Sequence, residues 1–291
     1  MQSVPCQAEA RGATEAGRIA AALKLAANIG LLFPELPPLA RIAAAKDAGF
    51  EGIELLFPYD LDPQVVRREA TAHRMPVVQL NSPAGDRAAG QVGFAALPGE
   101  EGRFRESIRT AFDFMRTCGS SQLHVVAGVP APDASPTEVR QTYVRNLQWV
   151  ADEAAAVGAR IMIEPLNSRD FPGYALSTLA QAVEVLNAVG RPNVGLQFDL
   201  YHSQIMGGDL THRIRQVGSY IRHVQISGAP LRNEPDRGEV NLVPVMRAIA
   251  ETGYDGWISA EYKPTGNTRE SLGWMAGVRE VFSGSRREDR S

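Results

Sequence analysis

Val194-Gly195-Leu196-Gln197-Phe198-Asp199 is a short, largely apolar run that closes on a carboxylate. Three more runs in the second half of the chain end on an oxygen ligand in the same way: Ile161-Met162-Ile163-Glu164, His223-Val224-Gln225 and Ile258-Ser259-Ala260-Glu261. Apolar runs of this length, bounded by turn residues, read as strands. If the four are neighbouring parallel strands, three carboxylates and one amide oxygen converge at one end of a sheet. That composition suits a hard divalent cation such as Mg²⁺ or Mn²⁺, which prefers oxygen ligands.

Working outward, strands are expected near 24–29, 52–56, 76–80, 122–127, 160–164, 194–199, 221–226 and 257–261, with stretches of helical period between them. Phe104, Ile108, Ala111, Phe112 and Met115 repeat on one helical face, and Gly119 is placed to stop that helix. Leu179, Val183, Leu186 and Val189 do the same before Gly190, as do Leu242, Met246 and Ile249 before Gly253. Eight strand–helix units joined by right-handed crossovers predict an α/β fold, a (β/α)8 TIM barrel formed as one domain over residues 23–282. The runs read as apolar on both faces, as strands do when helices cover the outside and side chains fill the inside. No glycine-rich phosphate loop follows the first strand, which removes the main support for a dinucleotide fold.

Residues 1–22, rich in Ala, Glu and Arg, precede the repeat and read as a flexible extension. The polar tail 283–291 is expected to be disordered. The connection 81–99, which carries Pro83, Gly85, Gly90, Gly93, Pro98 and Gly99, is long for a compact domain and reads as a lid over the active face.

At 291 residues the chain is long enough for a single large barrel, and 44 % hydrophobic with 22 % charged residues is ordinary for a globular protein. A net charge of −3 argues against a nucleic-acid surface. Cys6 and Cys118 are too few for a disulfide framework and have no zinc-motif neighbours. No apolar stretch reaches the roughly 18 residues of a membrane helix. With no signal-peptide core at the start, the expected location is the cytoplasm.

In a βα barrel the C-terminal strand ends carry the chemistry. Glu164, Asp199, Gln225 and Glu261 fall there on the fifth to eighth strands. Singly, each carboxylate reads more readily as a cap for the next helix or loop than as a ligand; four at matching positions reverse that reading. Three like charges so close would raise one another's pKa unless a cation neutralised them. His202 follows Asp199 at i+3 and is a candidate for the same site, with a loop role as the alternative. His124 and His73 are weaker candidates, since a polar group near a strand or helix end is commonly only hydrogen-bonded. Gly207-Gly208 before Asp209 reads as a turn with a helix N-cap.

Several segments also resemble a known family. Glu164-Pro165-Leu166-Asn167, Phe198-Asp199-Leu200-Tyr201-His202-Ser203-Gln204, His223-Val224-Gln225-Ile226 and Glu261-Tyr262-Lys263-Pro264 are similar to the hydroxypyruvate isomerase family of xylose-isomerase-like barrels. So are Leu56-Phe57-Pro58-Tyr59-Asp60 and Asn81-Ser82-Pro83-Ala84-Gly85-Asp86, and the resemblance runs in order from about residue 24 to residue 276.

The resemblance implies a divalent cation, Mg²⁺ or Mn²⁺, held by Glu164, Asp199, Gln225 and Glu261, with Glu164 and Glu261 as the acid/base pair. It implies a small 2-oxo hydroxy acid as substrate, with hydroxypyruvate and tartronate semialdehyde interconverted through an enediolate. Arg232 falls where the family has an arginine near the substrate, and Lys263 is a second candidate for the substrate carboxylate. Gln225 separates this chain from the related ketose 3-epimerases, which carry histidine there. Asn233 and Leu242 stand where the family has histidine and tyrosine, which bears on fine substrate choice. A ketose epimerase on the same metal site is the principal alternative; an apurinic endonuclease-like or a non-catalytic binding barrel fits less well. Membrane and nucleic-acid partners are not expected, and monomer and homo-oligomer are both open.

Overall fold

A computed structural model describes residues 24–284, so the extension 1–22 lies outside the described residues, as does the tail beyond Gly284. Eight strands, β1 (Lys24–Asn28), β2 (Gly52–Leu55), β3 (Val77–Asn81), β4 (Gln122–His124), β5 (Arg160–Ile163), β6 (Val194–Asp199), β7 (Ile221–Ile226) and β8 (Trp257–Ala260), pair in chain order and all in parallel. Pairing of β1 with β8 closes them into a barrel. The TIM barrel expected from the sequence is the observed fold.

The helices wrap the outside in chain order: α1 (Ala40–Asp47), α2 (Pro63–Ala72), α3 (Glu101–Cys118), α4 (Pro136–Ala156), α5 (Leu179–Val189), α6 (Leu200–Gly207), α7 (Leu210–Val217), α8 (Leu242–Glu251) and α9 (Trp274–Gly284). Helix α9 thus includes Ser283 and Gly284, the first two residues of the expected tail. Local chemistry sets the helix ends. Thr178 and Gln181 form a reciprocal capping box that starts α5, and Gly190 ends it with a left-handed backbone (φ 58°). Gly119 (φ 87°) stops α3 as its position suggested.

The main apolar core lies between barrel and helices. Outward-facing strand residues such as Ile161, Ile163, Leu196, Phe198, Val224 and Ile258 are buried against Leu147, Leu186, Met246 and Ile249 of the helices. Burying such side chains contributes about 1.5–3 kcal/mol each. No helix among the described residues is long and apolar enough to cross a membrane.

The barrel interior differs from expectation. It is lined by polar side chains, with Asn28, Glu54, Gln79, His124, Gln197, His223, Gln225 and Ser259 all buried. The runs are therefore not apolar on both faces: hydrogen bonds link many of the inward groups, which offsets part of the cost of burying them, while Gln79 Oε1, His124 Nε2, His223 Nδ1 and Ser259 Oγ have no partner. Two register shifts help assemble this lining. Ile53 pairs with Val77 but Glu54 with Gln79, and Leu196 pairs with Ile221 but Gln197 with His223. Each shift inserts one extra residue in the neighbouring strand, a bulge that re-aims side chains.

Strand β4 is shorter than the expected 122–127. The Val125 amide still donates to the β5 carbonyl of Met162 at 2.9 Å, and beyond it the chain bonds to the 81–99 connection: Gly93 bridges Ala127, and the amide of Ala96 donates to the Ala127 carbonyl at 2.7 Å. Gly93 (φ 107°) is required here, since a Cβ would lie 2.3 Å from the Val126 carbonyl oxygen. The connection is anchored along its second half, while its tip, 85–90, is exposed and sets Arg87 over the Phe57 ring at 4.7 Å.

Candidate metal and proton-transfer site

Glu164 and Glu261 stand one residue past the ends of β5 and β8, Asp199 is the last residue of β6, and Gln225 pairs with Asp199 in β7. All four are buried, and they gather at the C-terminal mouth of the barrel. Asp199 serves also as the N-cap of α6: its Oδ1 accepts from the backbone N–H of His202 at 3.0 Å, which leaves Oδ2 toward the mouth. Ligand atoms of Glu164, Asp199 and His202 lie within 4.8 Å of one another.

Arg232 enters this cluster. Its Nη2 donates to Glu261 Oε1 at 2.7 Å and to Asp199 Oδ2 at 3.4 Å, and its guanidinium lies 5.4 Å from the Tyr201 ring centroid. The backbone that delivers it is left-handed (φ 56°) and is pinned by the Lys263 amide, which donates to the Arg232 carbonyl at 2.8 Å. The Lys263 side chain itself is exposed. Burial alone would lower the pKa of the guanidinium, but the facing carboxylates of Glu261, Asp199 and Glu164 outweigh it and hold the group firmly protonated.

The electrostatics follow from three acids meeting one cation. Burial, then the charges of Asp199 and Glu261, push the Glu164 carboxyl well above the usual range. Burial likewise pushes Glu261 well up and raises Asp199, with Arg232 opposing both shifts. With all three ionised, two negative charges are left uncompensated by Arg232. That surplus matches a divalent cation.

His202 and His124 act as neutral donors and acceptors. The Asn167 backbone N–H (3.0 Å) and side-chain amide (2.7 Å) both point at His202 Nδ1. Nδ1 must therefore accept, and in a neutral ring the proton sits on Nε2, which faces Glu164 Oε1 at 3.9 Å. Burial, reinforced by Arg232, holds this ring well below the usual histidine range. His124 Nδ1 lies 3.2 Å from Asn81 Oδ1 and 3.3 Å from Glu164 Oε2, and burial lowers its pKa to about 3. Glu164 Oε1, His124 Nε2 and His202 Nε2 are buried with no hydrogen-bond partner. Buried orphans of this kind point to a missing ligand, and an oxygen-rich pocket with surplus negative charge fits a hard divalent cation.

His73 is the C-cap of α2, on the outer ring of helices. Asp209 does occupy the N-cap position of α7, with a left-handed backbone (φ 50°) and no side-chain cap bond. Residues not singled out from the sequence complete the site from below. Gln197 Nε2 donates to Glu164 Oε2 at 2.8 Å and to Gln225 Oε1 at 2.6 Å. Gln225 Nε2 donates to Glu54 Oε1, which also accepts from Asn28 Nδ2 at 3.1 Å, while Glu54 Oε2 meets His223 Nε2 at 3.0 Å. Burial alone would raise Glu54, but the hydrogen bonds and charge of His223 hold it below the usual range.

A closed parallel barrel with acids gathered on the rim of its last four strands defines a class, and the chain matches the xylose isomerase-like TIM barrel family over residues 42–278 and belongs to it. It is 40 % identical over 252 residues to the 2-oxo-tetronate isomerase of Cupriavidus necator, covering 87 % of this chain and 97 % of that protein. It is 36 % identical over 253 residues to the hydroxypyruvate isomerase of Escherichia coli, covering 87 % and 98 %. Within the xylose isomerase-like barrels, then, the chain belongs to the hydroxypyruvate isomerase family, which includes the 2-oxo-tetronate isomerases, and it is an isomerase. Among solved structures it superposes on one described as AP endonuclease, family 2, from Brucella melitensis, with a TM-score of 0.85 and 40 % identity, covering 87 % of this chain and 98 % of that one.

Proposed function

We propose that the protein is a metal-dependent isomerase of small 2-oxo hydroxy acids, interconverting hydroxypyruvate, or a 2-oxo-tetronate one carbon longer, with its carbonyl-shifted isomer through an enediolate. The observation that carries this is the burial of Glu164, Asp199 and Glu261 around one point of the barrel mouth, with Arg232 as their one cationic neighbour among the described residues. The names of the two relatives supply the substrate class. Mg²⁺ or Mn²⁺, held by Glu164, Asp199, Gln225 and Glu261, would supply Lewis-acid polarisation of the substrate oxygens.

The chain's own residues divide the remaining work. Shifting the carbonyl moves one hydrogen between adjacent carbons, so one group must take a proton and a group must return one. Glu164 and Glu261 are suited to this, because burial raises both carboxyls above the usual range and so makes their carboxylates stronger bases. His202 Nε2–H serves as a donor to a substrate oxygen, and His124 Nε2 as an acceptor from a hydroxyl. Arg232 has a fork that fits a carboxylate, and it clamps the substrate acid when it leaves Glu261. Lys263 contributes its charge at the exposed rim. The anchored connection 91–97 and the stacked Arg87 wall off the mouth near β2 and β4.

The name of the Brucella protein points to a nucleic-acid substrate. We favour a small acid, since this chain carries a net charge of −3 and a phosphate backbone calls for a clear basic excess. A ketose 3-epimerase would use the same two glutamates but invert a carbon instead of moving the carbonyl. A panel of small 2-oxo acids and ketoses, with and without added metal and followed by NMR in D₂O, tests the proposal. Turnover confined to carbon inversion of ketoses would replace it with the epimerase reading.

A further inference from the structure

Beneath the rim, four amide and acid side chains form a line with one polarity. Glu54 is fully buried and is approached by donors from three sides: Asn28 Nδ2, His223 Nε2 and Gln225 Nε2. A carboxylate only accepts, so Gln225 must turn its NH₂ down to Glu54 and its oxygen up. That oxygen accepts from Gln197 Nε2, whose second proton goes to Glu164 Oε2. Gln197 Oε1 in turn accepts from Gln79 Nε2, and the line ends there, since Gln79 Oε1 is buried with no partner.

One amide nitrogen therefore spends both of its protons on two of the groups assigned above to the metal. Neither the spacing of the strand ends nor the ligand set requires this. It depends on the bulge that pairs Gln197 with His223 and brings Gln225 beside Asp199. Were the Gln197 amide reversed, its oxygen would face Glu164 Oε2 and Gln225 Oε1, three acceptors with no proton among them.

We propose that Gln197 is a positioning residue that clamps Glu164 and Gln225 with a single amide nitrogen, and that Glu54, acting through Gln225, fixes the direction in which that amide points. The proposal rests on the metal reading of the site. It assigns Gln197 no contact with substrate. Its effect is to hold two ligand side chains in one arrangement before a cation arrives, and partners of this kind commonly account for about 10–100-fold in metal affinity.

The test uses the full chain stripped of metal by a chelator, with two substitutions of nearly equal size. Gln197→Met removes both donors, and Gln197→Glu replaces them with an acceptor. Phe198→Leu, on the outward face of the same strand, serves as a control that perturbs packing without touching the ligands. Mn²⁺ affinity is measured by titration calorimetry, and exchange of side-chain N–H protons is followed in ¹⁵N-glutamine-labelled protein without metal.

The expected result has three parts. A protected glutamine NH₂ signal is present in the wild type and missing from both Gln197 variants. Gln197→Met weakens Mn²⁺ binding about 10–100-fold and Gln197→Glu weakens it at least as much, while Phe198→Leu binds as the wild type does. Wild-type affinity in Gln197→Glu, or a Gln197 NH₂ that exchanges as fast as free glutamine, overturns the clamp while leaving the metal reading in place. Failure of the wild type to bind Mn²⁺ would instead refute the metal reading and the clamp with it.

Discussion

Replacing Glu164 by Gln should move stability and activity in opposite directions. The carboxylate sits within 4.8 Å of Asp199's ligand atom, and at an effective dielectric of about 20 two like charges that far apart repel by about 3 kcal/mol. The amide removes that repulsion but weakens the acceptance from Gln197 Nε2, at a cost of about 1 kcal/mol. The metal-free variant should therefore be more stable by about 2 kcal/mol where both acids would be ionised, or about 4–8 °C in melting temperature for a domain of this size. The gain depends on pH. A carboxyl whose pKa is raised by folding holds its proton longer in the folded chain than in the unfolded one, so it favours the fold at low pH. That contribution is lost as pH climbs from the ordinary carboxylate range through the raised value, whereas an amide does not titrate. Calorimetric melting in a chelator should show the two proteins unfolding together at the low end of the ordinary carboxylate range and the variant melting at increasingly higher temperature than the wild type as pH rises above it. Turnover with metal should meanwhile drop at least about 100-fold, the usual scale for loss of an acid/base group. A variant less stable than wild type at the higher pH, or a gap that closes as pH rises, would refute the charge-crowding account; near-normal turnover would refute the proton-transfer role.

Other outcomes follow from the same geometry. Glu261→Gln should also lose at least about 100-fold in turnover while its circular dichroism and elution volume stay those of the wild type. Exhaustive dialysis against a chelator should abolish activity and added Mg²⁺ or Mn²⁺ restore it; full activity in the stripped protein would remove the metal from the mechanism. Arg232→Met deprives the buried acids of the cation that contacts Glu261 and Asp199, so the metal-free variant should lose about 3 kcal/mol of stability at neutral pH. Protonating the acids at lower pH, or adding Mn²⁺, should recover most of that loss in a denaturant titration. A variant as stable as wild type at every pH would mean that Arg232 does not balance their charge.

The barrel and its rim were legible because both depend on periodicity along the chain. A run such as Val194–Asp199 carries its own strand signal, and the acid at its end is placed by the rule that parallel strands deliver their C-termini to one face. The layer beneath left a fainter trace in the same runs. Gln197, His223, Ser259, Gln79 and Gln122 each stand two residues before Asp199, Gln225, Glu261, Asn81 and His124, and that alternation marks inward positions on a strand. Reading the runs as uniformly apolar concealed it. The pairing of Glu54 with Gln79 and of Gln197 with His223 had no local signal, because a bulge is settled between two strands. The place of Arg232 was hidden for a similar reason. Its approach to Glu261 requires a left-handed backbone at that residue and a bond from Lys263, both properties of two loops meeting.

The most direct test of the whole account is to give hydroxypyruvate to the protein in D₂O, once loaded with Mn²⁺ or Mg²⁺ and once stripped, and to follow the product by NMR and mass. The loaded protein should form tartronate semialdehyde with deuterium on the carbon that gains hydrogen, and the stripped protein should form none. Equal conversion by both, or no carbonyl shift in either while a ketose is inverted under the same conditions, would contradict it.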